Sequence, residues 1–370
     1  MRTGIAGLAV LSLAVAACGF SKVDPNAAVH IAGRALDSSG KPLAHAKVLL
    51  FKQADIGEVV FGTVLAVGTL GAACLVPHGP AICAKARTAT TDADGRYSFD
   101  LQGSDTQGTL GTASTLNVVF TGKSAGTTTV SFTADKAAIK LPDARLWNAD
   151  PRVSQSDRIR VSWSRLPAGA GSSTGYSAEL FSQGAAAPLW SQSASGSGTS
   201  IDPRITEGEP GSVAAGAHST LEGGSGTGTV HASYLSTRLQ IRGTGDVPAS
   251  RGRLCAPVTG TTPPRTGTYT HCAETDGDLE TAAHLSGHGV VAGTVIDLGS
   301  RRPIDLVVAR GFSGQFLVEL SDDGRTWHPV ATNSGTAAVT VPGRPTARYV
   351  RLRSPAGLDE SLNSEVSVWS

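Results

Sequence analysis

The chain has 370 residues, enough for two or three domains. Only 5% of its residues are aromatic and 16% are charged, whereas 45 are glycine. This composition is unusual for large helical domains and typical of several small β-sandwiches. The formal net charge is +1 and the sequence has no basic block, which argues against nucleic acid as a partner.

The N-terminus carries the pattern of an export signal. Arg2 precedes the uncharged run 3–17, and Val15-Ala16-Ala17-Cys18 resembles the lipobox of bacterial lipoproteins. The resemblance implies a lipoprotein signal peptide over 1–17 and an acylated Cys18, followed by a tether over 18–28. The membrane is then a partner through this lipid anchor, and the expected location is the extracellular face of the bacterial cell membrane. The alternative is a plain signal peptide with an incidental cysteine.

Alternating apolar residues predict strands from Ala28 onward, and Asp94-Gly95 predicts a turn between two of them. Three features resemble the carboxypeptidase regulatory-like, or transthyretin-like, family. They are Gly33, the segment Gly40-x-Pro42-Leu43-x-x-Ala46-x-Val48 and the segment Thr91-Asp92-x-x-Gly95-x-Tyr97-x-Phe99. The resemblance implies a β-sandwich over 29–140 that has no catalytic residues of its own.

An insertion, 54–86, interrupts this family pattern. Within it, 59–76 is a run of 18 residues without a charge. By length alone the run could span a membrane. Because both halves of the surrounding sandwich must lie outside, a hydrophobic helix or hairpin packed on the sandwich is favoured. The third interpretation is an exposed apolar surface that meets lipid or a partner.

The next segment alternates from Arg158 to Trp163, with Trp163 on the apolar face. Together with Tyr176, this pattern resembles a fibronectin type III module and implies a second sandwich over 143–243. The run Gly224-Ser225-Gly226-Thr227-Gly228 lacks the lysine and the helix of a phosphate loop. We interpret it as a flexible turn.

An ordered set of four motifs occupies the last third of the chain. They are Ile296-Asp297-Leu298-Gly299, Ser321-x-Asp323-Gly324-x-x-Trp327, Arg348-Tyr349-Val350-Arg351 and Glu365-Val366-x-Val368-Trp369. The set resembles the discoidin, or coagulation-factor type-C, domain and implies a jelly roll over 247–370. The predicted fold is therefore all-β, with three consecutive β-sandwiches, the last a discoidin-like jelly roll.

The chain has five cysteines. With Cys18 set aside as the lipid site, the other four permit three disulfide pairings. They fall as two pairs that are distant in sequence and lie in different predicted domains. The favoured pairing is therefore Cys74 with Cys83 and Cys255 with Cys272.

The segment 274–281 clusters carboxylates around a glycine, and such hard oxygen ligands suit calcium. Discoidin-like carbohydrate-binding modules hold a structural calcium in an Asp-Gly-Asp-x-x-Thr loop, with a glutamate from the C-terminal strand. By this resemblance the candidate ligands are Asp276, Asp278, Thr281 and Glu365. Ala282 and Ala283 depart from the family, which has an aromatic residue nearby. The alternative is a polar turn without a metal.

No catalytic constellation stands out, so an enzyme is not expected. The leading hypothesis is a surface-anchored lipoprotein that acts as a non-catalytic adhesion or interaction module. The alternative is a cell-envelope carbohydrate-binding protein with a calcium-stabilised discoidin-like domain. The ligand is then an unidentified protein or glycan, and the candidate contact residues are Arg310, Phe312 and Gln315, which lie near a predicted loop.

Overall fold

A computed structural model describes residues 21–52, 87–108, 111–122, 126–167, 170–185, 188–259, 269–277, 291–310, 316–333, 338–353 and 365–370. The regular structure of these residues is β-strand apart from the short 3-10 helices Gly103–Thr106, Pro203–Thr206 and Ala273–Thr275. The prediction of an all-β fold is therefore confirmed. None of these residues belongs to a helix long and apolar enough to cross a bilayer.

The strands are grouped, in chain order, by the three predicted modules. The first module (29–140) contains β1 (Ala28–Leu36), β2 (Lys47–Lys52), β3 (Arg87–Thr90), β4 (Arg96–Gln102), β5 (Thr115–Thr121), β6 (Thr127–Thr133) and β7 (Ala138–Lys140). Strand β8 (Ala144–Arg145) lies at the start of the middle module but pairs with β1 of the first. The middle module (143–243) continues with β9 (Arg152–Gln155), β10 (Ile159–Ser162), β11 (Ser172–Ser182), β12 (Trp190–Ala194), β13 (Gly198–Ile201), β14 (Gly211–Leu221), β15 (Val230–Leu235) and β16 (Leu239–Ile241). The C-terminal module (247–370) has β17 (Leu254–Thr259), β18 (Thr270–His271), β19 (Val291–Pro303), β20 (Leu306–Arg310), β21 (Leu317–Ser321), β22 (His328–Thr332), β23 (Ala338–Thr340), β24 (Thr346–Arg353) and β25 (Glu365–Trp369).

These strands form five sheets. The first module has a four-stranded sheet of order β4-β1-β7, with β8 also paired to β1, and the middle module has the sheet β13-β10-β9. A nine-stranded sheet has the order β12-β11-β14-β15-β6-β5-β2-β3, with β16 on β14. The C-terminal module has the six-stranded sheet β18-β17-β19-β24-β21-β22 and the three-stranded sheet β23-β20-β25.

The nine-stranded sheet joins the first and middle modules. Strand β6 of the first module pairs antiparallel with β15 of the middle module, which places Val130 opposite Ala232. The inner faces of both modules then share one apolar cluster, which we call the large core and which includes Phe120, Trp163 and Leu180. Backbone hydrogen bonds and burial of apolar surface therefore hold these two modules together.

The C-terminal module has its own core between its two sheets, which we call the C-terminal core. Strand β20 is buried on both faces. Val307 and Ala309 point into the C-terminal core, whereas Leu306 and Val308 belong to the large core. Because side chains alternate across a strand, the outer face of the three-stranded sheet is the surface that meets the middle module.

The Asp94-Gly95 turn has the predicted position but a different role. Gly95 has φ +74°, and a Cβ there would lie 2.4 Å from the carbonyl oxygen of Ala35, so only glycine fits. Strands β3 and β4 on either side belong to different sheets, so the turn connects the two layers instead of closing a hairpin. By contrast, the turn at Gly324 joins β21 and β22, which do pair as a hairpin.

Several sequence predictions fall on residues outside those that the structure describes. They are the signal 1–17, Cys18, the insertion 54–86 with Cys74 and Cys83, and the contact candidates Phe312 and Gln315.

Candidate cation site and the buried ion network

Two of the four predicted calcium ligands lie next to each other. Asp276 follows the 3-10 helix Ala273–Thr275, and Glu365 is the first residue of β25. The backbone N–H of Gly277 donates a hydrogen bond to Oε2 of Glu365 at 3.3 Å. The fold therefore brings the Asp276 loop to the Glu365 carboxylate across 88 residues of sequence. Asp278 and Thr281 lie outside the described residues.

The Glu365 carboxylate is the unusual group of this site. Glu365 is 0% exposed, and its Oε1 atom has no hydrogen-bond partner among the described residues. Burial, together with the nearby charge of Glu207, raises the pKa of Glu365 to about 9. A buried carboxylate oxygen without a partner is costly, and a cation at this position would remove that cost.

The residues present fit a hard divalent cation such as calcium, which binds carboxylate oxygens. Asp276 is exposed and Glu365 is buried. These two residues would hold the ion and balance its charge. The participation of Asp278 and Thr281 stays a prediction.

A disulfide fixes the base of this loop. Cys255 on β17 and Cys272 are bonded, with their Cα atoms 6.0 Å apart, and this is the pairing that the sequence favours. The Thr275 hydroxyl donates to the carbonyl of Arg253 at 2.6 Å. The loop is thus attached to the start of β17 by a covalent bond and a hydrogen bond.

Cys255, Cys272 and Glu274 bring their ligand atoms within 4.8 Å of one another. They do not form a thiolate metal site in this structure, because both sulfur atoms belong to the disulfide. Burial raises the pKa of Glu274, whose carboxylate lies 3.6 Å from the Cys255 sulfur.

A buried ion network lies behind the cation loop. Glu207, which follows the 3-10 helix Pro203–Thr206 of the middle module, is 1% exposed. Its two carboxylate oxygens accept from different arginines of the C-terminal module: Arg310 at 2.9 Å and Arg251 at 2.7 Å. Ser367 of β25 also donates to Glu207. One middle-module carboxylate therefore holds three C-terminal side chains.

Arg310 is also 1% exposed, which corrects the prediction that it contacts a ligand. Its guanidinium donates to Glu207, to the Ser367 hydroxyl at 2.7 Å and to the carbonyl of Ile205. Burial lowers the pKa of Arg310 below its ordinary value, although the neighbouring charges of Glu207 and Glu365 act in the opposite direction. These partners assign Arg310 to the junction between modules rather than to a ligand surface.

A second, more exposed set of ion pairs lies at the edge of the same junction. Arg204 of the middle module donates to both oxygens of Asp305 in the C-terminal module, at 2.9 and 3.0 Å. It also contacts Asp202, its neighbour in sequence, at 2.9 Å. The junction between the middle and C-terminal modules is therefore ionic at its edge and at its centre.

The sequence predicts Asp276 and Glu365 as ligands, and the fold brings them together, but it does not point to Glu207 or Arg251. One signal was available for the burial of Arg310. Arg310 directly follows the run Leu306-Val307-Val308-Ala309, which is apolar on both faces. Such a strand is expected to be covered on both sides. That pattern predicts a partner for the outer face, although it does not name Glu207.

No family model matches the chain, and no curated protein matches it. Solved structures similar to it include CpGH89CBM32-5 from Clostridium perfringens in complex with GalNAc-β-1,3-galactose, at 14% identity over 21% of this chain and 65% of that chain, with a TM-score of 0.19. CpGH89CBM32-4, also from Clostridium perfringens, is similar at 17% identity over 34% of this chain and 99% of that chain, with a TM-score of 0.24. A SusE-like protein is similar at 10% identity over 59% of this chain and 95% of that chain, with a TM-score of 0.24. These values do not assign a family or a function to the chain.

Proposed function

We propose that the chain is a non-catalytic binding protein of the bacterial cell envelope, with the C-terminal module as its ligand-binding part. The observation that carries this proposal is the environment of the buried carboxylates. Among the described residues, Glu207 and Glu319 are engaged by arginines, and Glu365 lies enclosed at a module junction beside Asp276. The fourth buried carboxylate, Glu274, packs against the disulfide sulfur of Cys255. Such groups suit a structural cation and a fixed scaffold, whereas acid–base catalysis needs carboxylates that reach a substrate.

Carbohydrate is the ligand class that we propose first. Its support is the Asp276-Gly277-Asp278-x-x-Thr281 loop with Glu365, because this set resembles the calcium loop of discoidin-like carbohydrate-binding modules. The calcium would be structural, held by Asp276 and Glu365. An adhesion role with a protein ligand is the second candidate and shares the same scaffold.

A glycan array probed with the chain carrying Cys18→Ser tests the ligand class. We expect binding to a defined glycan in calcium and reduced binding in chelator. Asp276→Ala should reproduce the chelator effect, whereas Asp322→Ala, an exposed aspartate paired with Arg301, should not. Release of reducing sugar from a bound glycan would contradict the non-catalytic proposal. Absence of glycan binding would favour the protein ligand.

Anchoring at the membrane is a separate part of the proposal, supported by the lipobox-like Val15-Ala16-Ala17-Cys18. In cells fed a labelled fatty acid, we expect the wild-type chain to carry the label and to enter the detergent phase on partitioning. Cys18→Ser should lose both properties. A wild-type chain without label would contradict the anchor and leave the binding proposal intact.

A further inference from the structure

Strand β25 connects the candidate cation site to the middle module. Its residues alternate, so that Glu365, Ser367 and Trp369 share the outer face of the three-stranded sheet. Glu365 faces the cation loop, Ser367 donates to Glu207, and Trp369 packs into the large core. A strand of five residues thus carries a cation ligand and two contacts to the middle module on one face.

Arg310 lies next to both the candidate cation ligand and the contacts to the middle module. It is the direct cross-strand partner of Glu365 in the β20–β25 register. Its guanidinium nevertheless donates to Glu207 of the middle module, at 2.9 Å. Glu207 is therefore the carboxylate that accepts from Arg310, while Glu365 accepts from the N–H of Gly277.

Arg251 makes a second connection, on the loop side. Gly277 has φ +84°, and a Cβ there would lie 2.7 Å from Nε of Arg251, so the guanidinium packs directly on the cation loop. The same guanidinium donates to Oε2 of Glu207 at 2.7 Å. Both arginines that hold Glu207 are therefore in contact with a segment that carries a cation ligand.

From this arrangement we infer that cation binding at Asp276 and Glu365 is coupled to docking of the middle module through Glu207. The inference rests on the structural cation of the proposed function and states how that site is regulated. When the modules are docked, Glu207 occupies Arg310 and leaves Glu365 to the cation. When they separate, Arg310 loses its partners Glu207 and Ile205, and the carboxylate that faces it across the β20–β25 pair is Glu365.

The sign of the coupling follows from this competition. Arg310 paired with Glu365 opposes the metal, so undocking lowers cation affinity and docking raises it. Linkage is reciprocal, so the bound cation must strengthen docking by the same factor. The cation also fixes the loop on which Arg251 packs and the strand that carries Ser367, which lowers the entropic cost of ordering them for Glu207.

Calcium titration calorimetry on the full chain tests the inference. Glu207→Gln keeps the shape of the side chain but releases Arg310, and we expect calcium affinity to fall roughly 5- to 150-fold. Glu222→Gln, an exposed glutamate of the same module, should leave the affinity unchanged. The double variant Glu207→Gln with Arg310→Gln should recover affinity toward the wild-type value, because the competing guanidinium is gone.

A measurement on the wild-type chain guards against a variant that does not fold. Hydrogen exchange of segment 203–207 should slow when calcium replaces chelator, although this segment belongs to the other module. Calcium binding with unchanged exchange at 203–207, or with wild-type affinity in Glu207→Gln, overturns the coupling alone. A wild-type chain that binds no calcium overturns the cation site and the coupling together.

Discussion

The chain has two module junctions, and they are built from different interactions. At the first junction, β6 and β15 continue one sheet and the two modules share the large core. At the second junction, the outer face of the three-stranded sheet adds apolar side chains to that core, but its centre is the ion network of Glu207, Arg251 and Arg310. The first junction consists of backbone hydrogen bonds between paired strands and of apolar packing. The second depends on ion pairs between buried side chains.

The difference matters because the two kinds of contact respond to different conditions. Apolar burial involves no charges, so ionic screening and metal ions affect it much less than they affect an ion pair. A buried ion pair depends on every charge near it, and removal of one partner leaves an uncompensated charge. We therefore expect the first junction to be permanent and the second to be the place where cations and pH act on the molecule.

The largest effect is expected at the centre of the second junction. Arg310→Met removes a guanidinium that is 1% exposed and leaves Glu207 with one arginine fewer. Loss of one partner of a buried pair lowers the free energy of unfolding by about 3–5 kcal/mol. Urea unfolding of the full chain measures the loss. Arg344→Met is the control, because its side chain is 61% exposed and lies 3.9 Å from Asp305; equal losses in the two variants would refute a special role for the network.

The disulfide sharpens the same comparison, since it holds the loop that Arg251 contacts. Cys255 and Cys272 are 17 positions apart. Replacing both by alanine should lower the free energy of unfolding by about 2–4 kcal/mol, because the unfolded chain regains the entropy that the closed loop removes. The variant should also bind calcium less tightly. A reductant that destabilises the wild type and the double-alanine variant equally would show that this bridge contributes nothing.

Calcium should stabilise the second junction specifically. At a hundredfold excess over its dissociation constant, a cation that binds only the folded state adds about 2.7 kcal/mol. Asp276→Asn should remove most of this gain, since the site loses a charged ligand. Magnesium should replace calcium poorly, because it prefers a tight octahedral shell. Thermal melting curves that are identical in calcium and chelator would contradict the site.

The stability of the first junction should depend on neither salt nor calcium. Val130 is 0% exposed and lies opposite Ala232 across the module boundary. Val130→Ala should cost about 2 kcal/mol, mainly through lost apolar burial. The same difference from wild type is expected in low salt, high salt, calcium and chelator. A cost that changes with calcium would show that the two junctions are not independent.

The sequence predicts the strands far better than the contacts between them. Alternation indicates β1 and β10 because the side-chain period is a local property. The pairing of Val130 with Ala232 has no local signal, since it depends on how two modules meet. The glycine-rich run 224–228 illustrates the same limit: its composition indicates a flexible turn, but Ser225 and Lys140 exchange backbone hydrogen bonds of 3.0 and 2.8 Å.

In the candidate site, too, the sequence predicts some residues and gives no signal for others. Asp276 and Glu365 are predicted because a family resemblance links them, although 88 residues separate Gly277 from Glu365. Glu207 lies 103 residues before Arg310, and the sequence around it shows no motif that names this partner. Pairs that form only when two modules dock cannot be derived from the pattern of either module alone.

The smallest expected effect lies at the edge of the second junction and concerns pH. Burial alone would raise the pKa of Asp202, but the hydrogen bonds from Arg204 more than offset this effect. The folded-state pKa of Asp202 therefore lies below 3.8. A depressed carboxyl pKa adds stability above the unfolded value, and this contribution disappears as pH falls through the folded value. Asp202→Asn keeps a capping oxygen for the 3-10 helix but loses the charge, so it should be about 1 kcal/mol less stable than wild type at neutral pH. As the pH falls below 3.8, the two proteins should converge in urea unfolding measurements. A difference that persists unchanged at low pH would show that the charge of Asp202 contributes nothing and that only its cap does.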